Sequence, residues 1–407
     1  MLLDVRGLKT HLEHHGRIIP AVDDVSFQIE RGETYCLVGE SGSGKSISAL
    51  SIMQLLPAGI SSHPSGQIMF QQRAHPNDGE YVDLLTLSED RRRALRGSRM
   101  AMIFQEPMTS LNPVYTIGDQ LLEVLELHQP ELNYDDARER AIGALRQVQI
   151  PQPEQRFSEY PHRLSGCQRQ RVMIAVALIC EPDLLIADEP TTALDVTVQA
   201  EILRLMRELQ DKKGMAILFI THDFGVVAQM AHRVGVMRRG KIVESAPTLQ
   251  ILRSPQHEYT QSLIAALPES LKRVHPRPST PESVAAPPLI CVRALRVHFP
   301  IKKGVLKHTV GYVKAVDGVD LDIPAGKILA VVGESGCGKT TLGRAILRLQ
   351  EPTSGAIRFE DSDITKLARR DMQPLRRRMQ VVFQDPASSL NPRLSVATIL
   401  TEPMAVH

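Results

Sequence analysis

Gly39-Glu40-Ser41-Gly42-Ser43-Gly44-Lys45-Ser46 stands between the apolar run Tyr35 to Val38 and the segment Ile47 to Leu56. The run reads as a buried strand and the segment as a helix. Strand, glycine-rich turn and helix form the context in which G-x-x-x-x-G-K-[ST] cradles phosphate. The glycines let successive backbone N–H groups turn inward as an anion-binding concavity, and the helix N-terminus adds its dipole. Lys45 is placed to reach the outer phosphates, and the Ser46 hydroxyl to ligate magnesium. A second loop, Gly333-Glu334-Ser335-Gly336-Cys337-Gly338-Lys339-Thr340, runs on into Thr341 and again follows an apolar stretch expected to be a strand. Two such loops exclude a chance glycine turn.

The loops belong to a larger repeat. Ala21-Val22-Asp23-Asp24-Val25 returns as Ala315-Val316-Asp317-Gly318-Val319, and Phe104-Gln105-Glu106-Pro107 as Phe383-Gln384-Asp385-Pro386. The offset between copies shrinks after the loops, which places an insertion in the first copy around Gln71 to Asp83. Pro268 to Pro288 is rich in Pro and Ser and reads as an extended linker. The expected organisation is a complete domain over 1–267, a linker over 268–288, and the N-terminal part of a second copy over 289–407. The second copy holds no counterpart of Val114 to Pro268, so it is expected to lack part of its core and to be marginal as a fold.

Leu184 to Pro190 is an apolar strand ending in Asp188 and Glu189. Such a strand can deliver Asp188 to a magnesium ion beside the phosphate loop, and Glu189 can deprotonate an attacking water. Ile217 to Ile220 leads into Thr221-His222-Asp223, where His222 is expected to contact a γ-phosphate.

Bulk properties narrow the class. The chain has 407 residues and a formal net charge of +2, which argues against a nucleic-acid partner. The runs Arg91–Arg93 and Arg376–Arg378 read as solvated helix faces. No segment approaches the roughly 18 apolar residues that cross a bilayer, and Val172 to Cys180 reads as a buried helix. The N-terminus lacks a signal-peptide core, so a cytoplasmic protein is expected. Five scattered cysteines support neither a disulfide framework nor a zinc or iron–sulfur site.

The order of the phosphate loop, Gln105, Leu164-Ser165-Gly166-Cys167-Gln168, the Asp188–Glu189 strand, Ala193-Leu194-Asp195 and His222 resembles the nucleotide-binding domains of ABC transporters. The resemblance implies an α/β P-loop NTPase fold with an antiparallel β subdomain and an α-helical subdomain, followed by a partial second copy. It implies ATP and Mg2+ as ligands, with Ser46, Gln105 and Asp188 at the metal. Gln384 would be the second copy's counterpart of Gln105. Ser165, Gly166 and Gln168 would grip the γ-phosphate of an ATP held by an opposite domain, and Asp195 would signal across that interface. FQEPMTSLNP (Phe104–Pro113), TTALDV (Thr191–Val196) and SPQHEYT (Ser254–Thr260) look like the importer branch for oligopeptides, dipeptides and glutathione. That branch implies two transmembrane permease subunits, a substrate-binding protein and a location on the cytoplasmic face of the membrane.

Three departures bear on activity. Cys167 stands where the family signature has glycine, which is expected to crowd the γ-phosphate. Leu12, flanked by His11 and His14, occupies a position that is aromatic in the family, whereas Phe299 fits it in the second copy. The second copy has no signature, acidic strand or switch histidine, so a second domain from another chain is expected to complete the sites. Two other readings stay open: a truncated or degenerate protein that binds ATP with little turnover, and an ABC ATPase acting on ribosomes or DNA.

Overall fold

A computed structural model describes residues 1–14, 16–57, 59–72, 79–105, 110–191, 196–267, 287–303, 308–334, 336–383 and 389–407. The chain divides into two compact units, Met1–Val274 and His275–His407.

Along the first unit run β1 (Leu3–His14), β2 (Arg17–Ile29), β3 (Thr34–Val38), β4 (Ser61–Ser62), β5 (Gln67–Gln71), β6 (Tyr81–Asp83), β7 (Met100–Ile103), β8 (Leu184–Asp188), β9 (Ala216–Thr221), β10 (Arg233–Arg238) and β11 (Lys241–Pro247). They form two sheets. One is antiparallel, in the order β2-β1-β5-β6, with β4 on β1; the other has the order β11-β10-β3-β9-β8-β7. In the second sheet β10, β3, β9, β8 and β7 are mutually parallel and β11 is an antiparallel edge.

The uninterrupted apolar runs of β3, β8 and β9 follow from burial on both faces. Side chains alternate across a strand, and these sort between two cores. Cys36, Val38, Leu185, Ala187, Ile217 and Phe219 pack with the helical side. Tyr35, Leu37, Leu184, Ile186, Leu218 and Ile220 pack with the antiparallel sheet and the helix Lys45–Met53. The unit is therefore three layers, with the parallel sheet in the middle. Val172 to Cys180 falls within and just beyond the helix Gly166–Leu178, whose inner face is buried as expected.

The second unit repeats only the antiparallel layer. Its strands β12 (Ile290–Lys303), β13 (His308–Ile323), β14 (Ser354–Phe359) and β15 (Ser362–Asp363) take the order β13-β12-β14-β15. They pack on the helix Lys339–Ile346 around Val292, Leu295, Val316, Leu342 and Ile357. β5 pairs with β6 up to Gln71 opposite Tyr81, and residues 73–78 of the expected insertion lie outside the described residues; in the second unit β14 pairs with β15 with Phe359 opposite Ser362.

The strand expected before the second loop is not formed. Ile328 to Val332 forms no ladder with any strand among the described residues, with Ile328 100% and Val332 87% exposed. Val381 to Phe383, the counterpart of β7, is likewise unpaired, and Val382 is 97% exposed. In the first unit β3 is a strand because β9 and β10 flank it, and β7 because β8 does. Among the described residues of the second unit no strand takes those places.

Arg91, Arg93, Arg377 and Arg378 are exposed, as expected, and Arg92 and Arg378 also make specific contacts. Arg92 donates to the Leu84 carbonyl at 3.1 Å and the Leu85 carbonyl at 2.7 Å, tying down the turn after β6. Arg378 pairs with both oxygens of Glu360 and lies 4.9 Å over the Phe359 ring.

Candidate nucleotide site

The turn from β3 into the helix Lys45–Met53 is possible only for glycine at its tightest point. Gly44 caps the helix with φ 106°, and a Cβ there would lie 2.5 Å from the Ala21 carbonyl oxygen. Glu40, Ser41 and Gly42 form an exposed rim, while Gly39, Ser43 and Lys45 are buried beneath it. Lys45 Nζ donates to the carbonyls of Gly39 and Glu40, each at 2.8 Å, and lies 3.4 Å from Ser43 Oγ. Burial lowers the Lys45 pKa, opposed by the nearby charges of Glu189, Asp188 and Glu40. The ammonium is thus held beneath the exposed turn Glu40–Gly42 by the loop's first two carbonyls.

The Ser46 hydroxyl donates to Asp188 Oδ1 at 3.1 Å, joining the loop to the end of β8. Burial raises the Asp188 pKa; the Glu189 charge adds to this, and the Ser46 hydroxyl and Lys45 oppose it. These two oxygen donors, a hydroxyl and a carboxylate, are of the hard type that Mg2+ takes alongside water and phosphate. No group of three or more His, Cys, Asp or Glu arranged for a metal occurs among the described residues. The donor set therefore fits an ion shared with phosphate rather than a protein-only metal cage.

Glu189 follows Asp188 in a left-handed conformation, φ 46°, and its N–H donates to the Ile220 carbonyl at 3.0 Å. That turn lifts its carboxylate off the strand line. Gln105 Nε2 donates to Glu189 Oε2 at 3.1 Å, and His222 Nδ1 lies 3.0 Å from Glu189 Oε1. Three segments distant in sequence so converge on one carboxylate.

The acidic strand does not adjoin the loop's own strand, as the sequence suggests: β9 lies between β3 and β8. The consequence is useful, because β9 leads directly into His222, which reaches the Glu189 carboxylate. Sequence order alone carries no signal for this interposition.

Ser165, Gly166 and Gln168 open the helix Gly166–Leu178. Ser165 Oγ accepts the Gln168 N–H at 3.3 Å and Gln168 Oε1 accepts the Ser165 N–H at 3.1 Å, a reciprocal capping box. Ser165 and Gly166 are exposed and Cys167 is half-buried. Among the described residues no hydrogen bond joins this turn to the Gly39–Ser46 loop. The helix does reach the acidic turn through Gln170, which sequence reasoning passed over. Its buried side chain donates to the Pro190 carbonyl, one residue past Glu189.

The second loop has the same internal geometry. Lys339 Nζ donates to the carbonyls of Gly333 at 2.6 Å and Glu334 at 2.7 Å, and lies 3.7 Å from Cys337 Sγ. Gly336 has φ 83°, and Gly338, at φ 101°, caps the helix that begins Lys339-Thr340-Thr341. Ser335, Gln384 and Asp195 lie outside the described residues, as do Glu106 to Thr109 and most of the linker. Phe299, on β12 opposite Val313, is exposed, while Leu12, on β1 opposite Ile19, is half-buried.

Comparison with known proteins places this geometry. The ABC transporter family profile matches residues 22–192 and 316–404. The peptidoglycan transport ATP-binding protein YejF of Agrobacterium fabrum is 51% identical over 100% of this chain and 71% of its own. The glutathione import ATP-binding protein GsiA of Pectobacterium atrosepticum is 45% identical over 100% of this chain and 67% of its own. Among solved structures, cbiO1 of Clostridium perfringens, part of the ABC transporter complex cbiONQ, superposes with a TM-score of 0.51 at 26% identity, covering 66% of this chain and 96% of that one. The matched spans take in Gly39–Ser46, Leu184–Pro190 and Gly333–Thr340, and the chain belongs to the ABC transporter family as one of its ATP-binding proteins.

Proposed function

We propose that the chain is the ATP-hydrolysing subunit of an importer for small peptides, of the glutathione, dipeptide or oligopeptide class. The observation that carries the chemistry is the Glu189 carboxylate, held between Gln105 and His222 beside the Ser46–Asp188 pair and Lys45. The names of its relatives support the substrate class.

In this reading the rim N–H groups of Gly39 to Ser46 and the Lys45 ammonium hold the ATP phosphates, and Ser46, Asp188 and Gln105 would hold Mg2+. The ion, when bound, offsets phosphate charge. Glu189 accepts a proton from the water that attacks the γ-phosphorus, and the bond to the β–γ bridging oxygen breaks. His222 orients Glu189 and contacts the γ-phosphate. Residues 1–267 act as one cassette and 289–407 as the leading part of a second, whose loop from Gly333 to Thr341, with Gln384, takes another nucleotide. Ser165, Gly166 and Gln168 serve the nucleotide of a facing domain, supplied within the assembly or by another chain. No helix among the described residues is long and apolar enough to cross a membrane. Two permease subunits and a substrate-binding protein carry the peptide, and the chain docks on their cytoplasmic face.

The test is to assemble the chain with permease subunits and a binding protein in vesicles, then measure ATP-dependent uptake of labelled glutathione, a dipeptide and an oligopeptide. Uptake of one of them, lost in Lys45→Ala, is expected. Hydrolysis without uptake of any would sink the peptide class, and ATP binding unaffected by Lys45→Ala in a chain that also carries Lys339→Ala would sink the site. Cys167 favours a second reading, binding with little turnover; faster hydrolysis by Cys167→Gly in the same vesicles would support it.

A further inference from the structure

Tyr259, within the SPQHEYT stretch, has no role in the site described above, yet it touches the Gly39–Ser46 loop. Its ring is buried at the start of the helix Glu258–Ala265, and its hydroxyl accepts the Glu40 backbone N–H at 3.3 Å. That N–H shares a peptide unit with the Gly39 carbonyl, which accepts from Lys45 Nζ at 2.8 Å. The Gly39–Glu40 peptide is therefore held at both ends, by a tyrosine oxygen and by the lysine ammonium. On its remaining side Gly39 abuts the Met237 carbonyl, which would lie 2.2 Å from any Cβ.

The tyrosine is itself fixed by several contacts. The Arg238 guanidinium lies 4.6 Å over its ring, and Arg238 ends β10, the strand paired with β3. Its N–H donates to His257 Nδ1 at 3.1 Å. Glu244 on β11 accepts the N–H groups of Gln256 at 2.8 Å and His257 at 3.1 Å, anchoring the turn that leads into the helix. Packing accounts for the buried ring; it does not account for a hydroxyl aimed at the loop backbone. A peptide unit hydrogen-bonded at both ends polarises along its length and resists rotation.

We propose that Tyr259 is a positioning residue for the nucleotide site: it sets the direction of the Gly39 carbonyl and so the place of the Lys45 ammonium before the phosphates. This rests on the reading of Gly39–Ser46 as a nucleotide loop. It also ties that loop to the last helix described before the linker.

The test uses the full chain carrying Lys339→Ala, so that the second loop does not contribute, titrated with a fluorescent ATP analogue and Mg2+. Tyr259→Phe keeps the ring and removes one hydrogen bond. Affinity should fall about three- to tenfold, the range of one net hydrogen bond, with the far-ultraviolet circular dichroism of the nucleotide-free chain at the assay temperature unchanged. Unchanged affinity would overturn the proposal, and so would a loss accompanied by unfolding of the variant at that temperature. Should the variant not express, amide exchange in the unsubstituted chain decides. Glu40 must exchange more slowly than Ser41 and Gly42, and equal rates would overturn it. Lys45→Ala, measured in parallel, separates the two levels: if it leaves binding intact, the nucleotide reading fails whatever Tyr259 does.

Discussion

Gly44→Ala should destabilise the first unit far more than Gly42→Ala, although both residues sit in the same loop at positive φ. At Gly42, φ is 78° and nothing lies within 4 Å of an added Cβ. Only the conformational term applies, about 1–2 kcal/mol. At Gly44, φ is 106° and the Cβ would lie 2.5 Å from the Ala21 carbonyl oxygen and 2.9 Å from Met237 Cε. The methionine end can move; the carbonyl cannot easily do so. Its neighbourhood is bound by Asp23 N–H to the Gly240 carbonyl and by Gly240 N–H to the Ser43 carbonyl, both at 2.8 Å. Relief would cost those two bonds, about 1 kcal/mol each, on top of the conformational term, so the total is about 3–4 kcal/mol. The difference between the variants, about 2 kcal/mol, is roughly a 30-fold change in the opening equilibrium. A chain of two units has no single unfolding midpoint. The readout is therefore hydrogen exchange at the slowest amides of Thr34–Val38 and Ala216–Thr221. Equal costs for the two alanines would refute the steric argument, as would a Gly44→Ala cost no larger than the conformational term.

Two further outcomes follow from the carboxylates. Glu189→Gln keeps the shape that meets Gln105 and His222 but removes the base, so hydrolysis by the assembled importer should fall about 10²- to 10⁴-fold while nucleotide affinity stays within about twofold; equal losses in both would refute the role. Burial raises the Asp188 pKa above its ordinary 3.8, so magnesium-dependent nucleotide binding should weaken as pH falls through that raised value. The sign for folding without ligand is opposite: the folded state holds the proton more tightly, so this group's contribution to stability is lost as pH rises through the raised value. A binding-against-pH titration whose acid limb sits at or below the ordinary value would refute the shift.

How much of this was legible in the sequence depends on how local each feature is. Runs such as Leu184–Ala187 and Ile217–Ile220 read correctly as buried strands, because burial on both faces leaves no polar position to confuse the pattern. The reciprocal cap of Ser165 and Gln168 likewise sits within one helical turn. The place of β9 between β3 and β8 was not legible, since it depends on Thr34 of β3 pairing with Ile217 of β9, far beyond any local pattern. The reach of Tyr259 to Glu40 was hidden for the same reason: SPQHEYT marks a branch of the family without saying what it touches. The basic runs read as solvated charge, and Arg91, Arg93, Arg377 and Arg378 are exposed, but a run gives no hint that Arg92 meets two carbonyls or Arg378 a ring.

The two copies of the loop make the point sharpest. Gly39–Ser46 and Gly333–Thr340 share the same glycine-capped helix and the same lysine folded onto the first two carbonyls, and in each the capping glycine abuts an alanine carbonyl, Ala21 or Ala315. Yet the apolar run before the first loop is a fully buried strand, and the run before the second has Ile328 and Val332 exposed. The loop needs only its own eight residues and one turn of the adjoining hairpin, both present in each unit. A parallel strand needs ladder partners from elsewhere, and its apolar side chains record that need without supplying it. A glycine-capped helix and a lysine folded onto the loop carbonyls can therefore form where the apolar run before them has no ladder partner among the described residues. On this physical ground, Lys339, half-buried where Lys45 is fully buried, should hold phosphate more loosely until strands flank Ile328 to Val332.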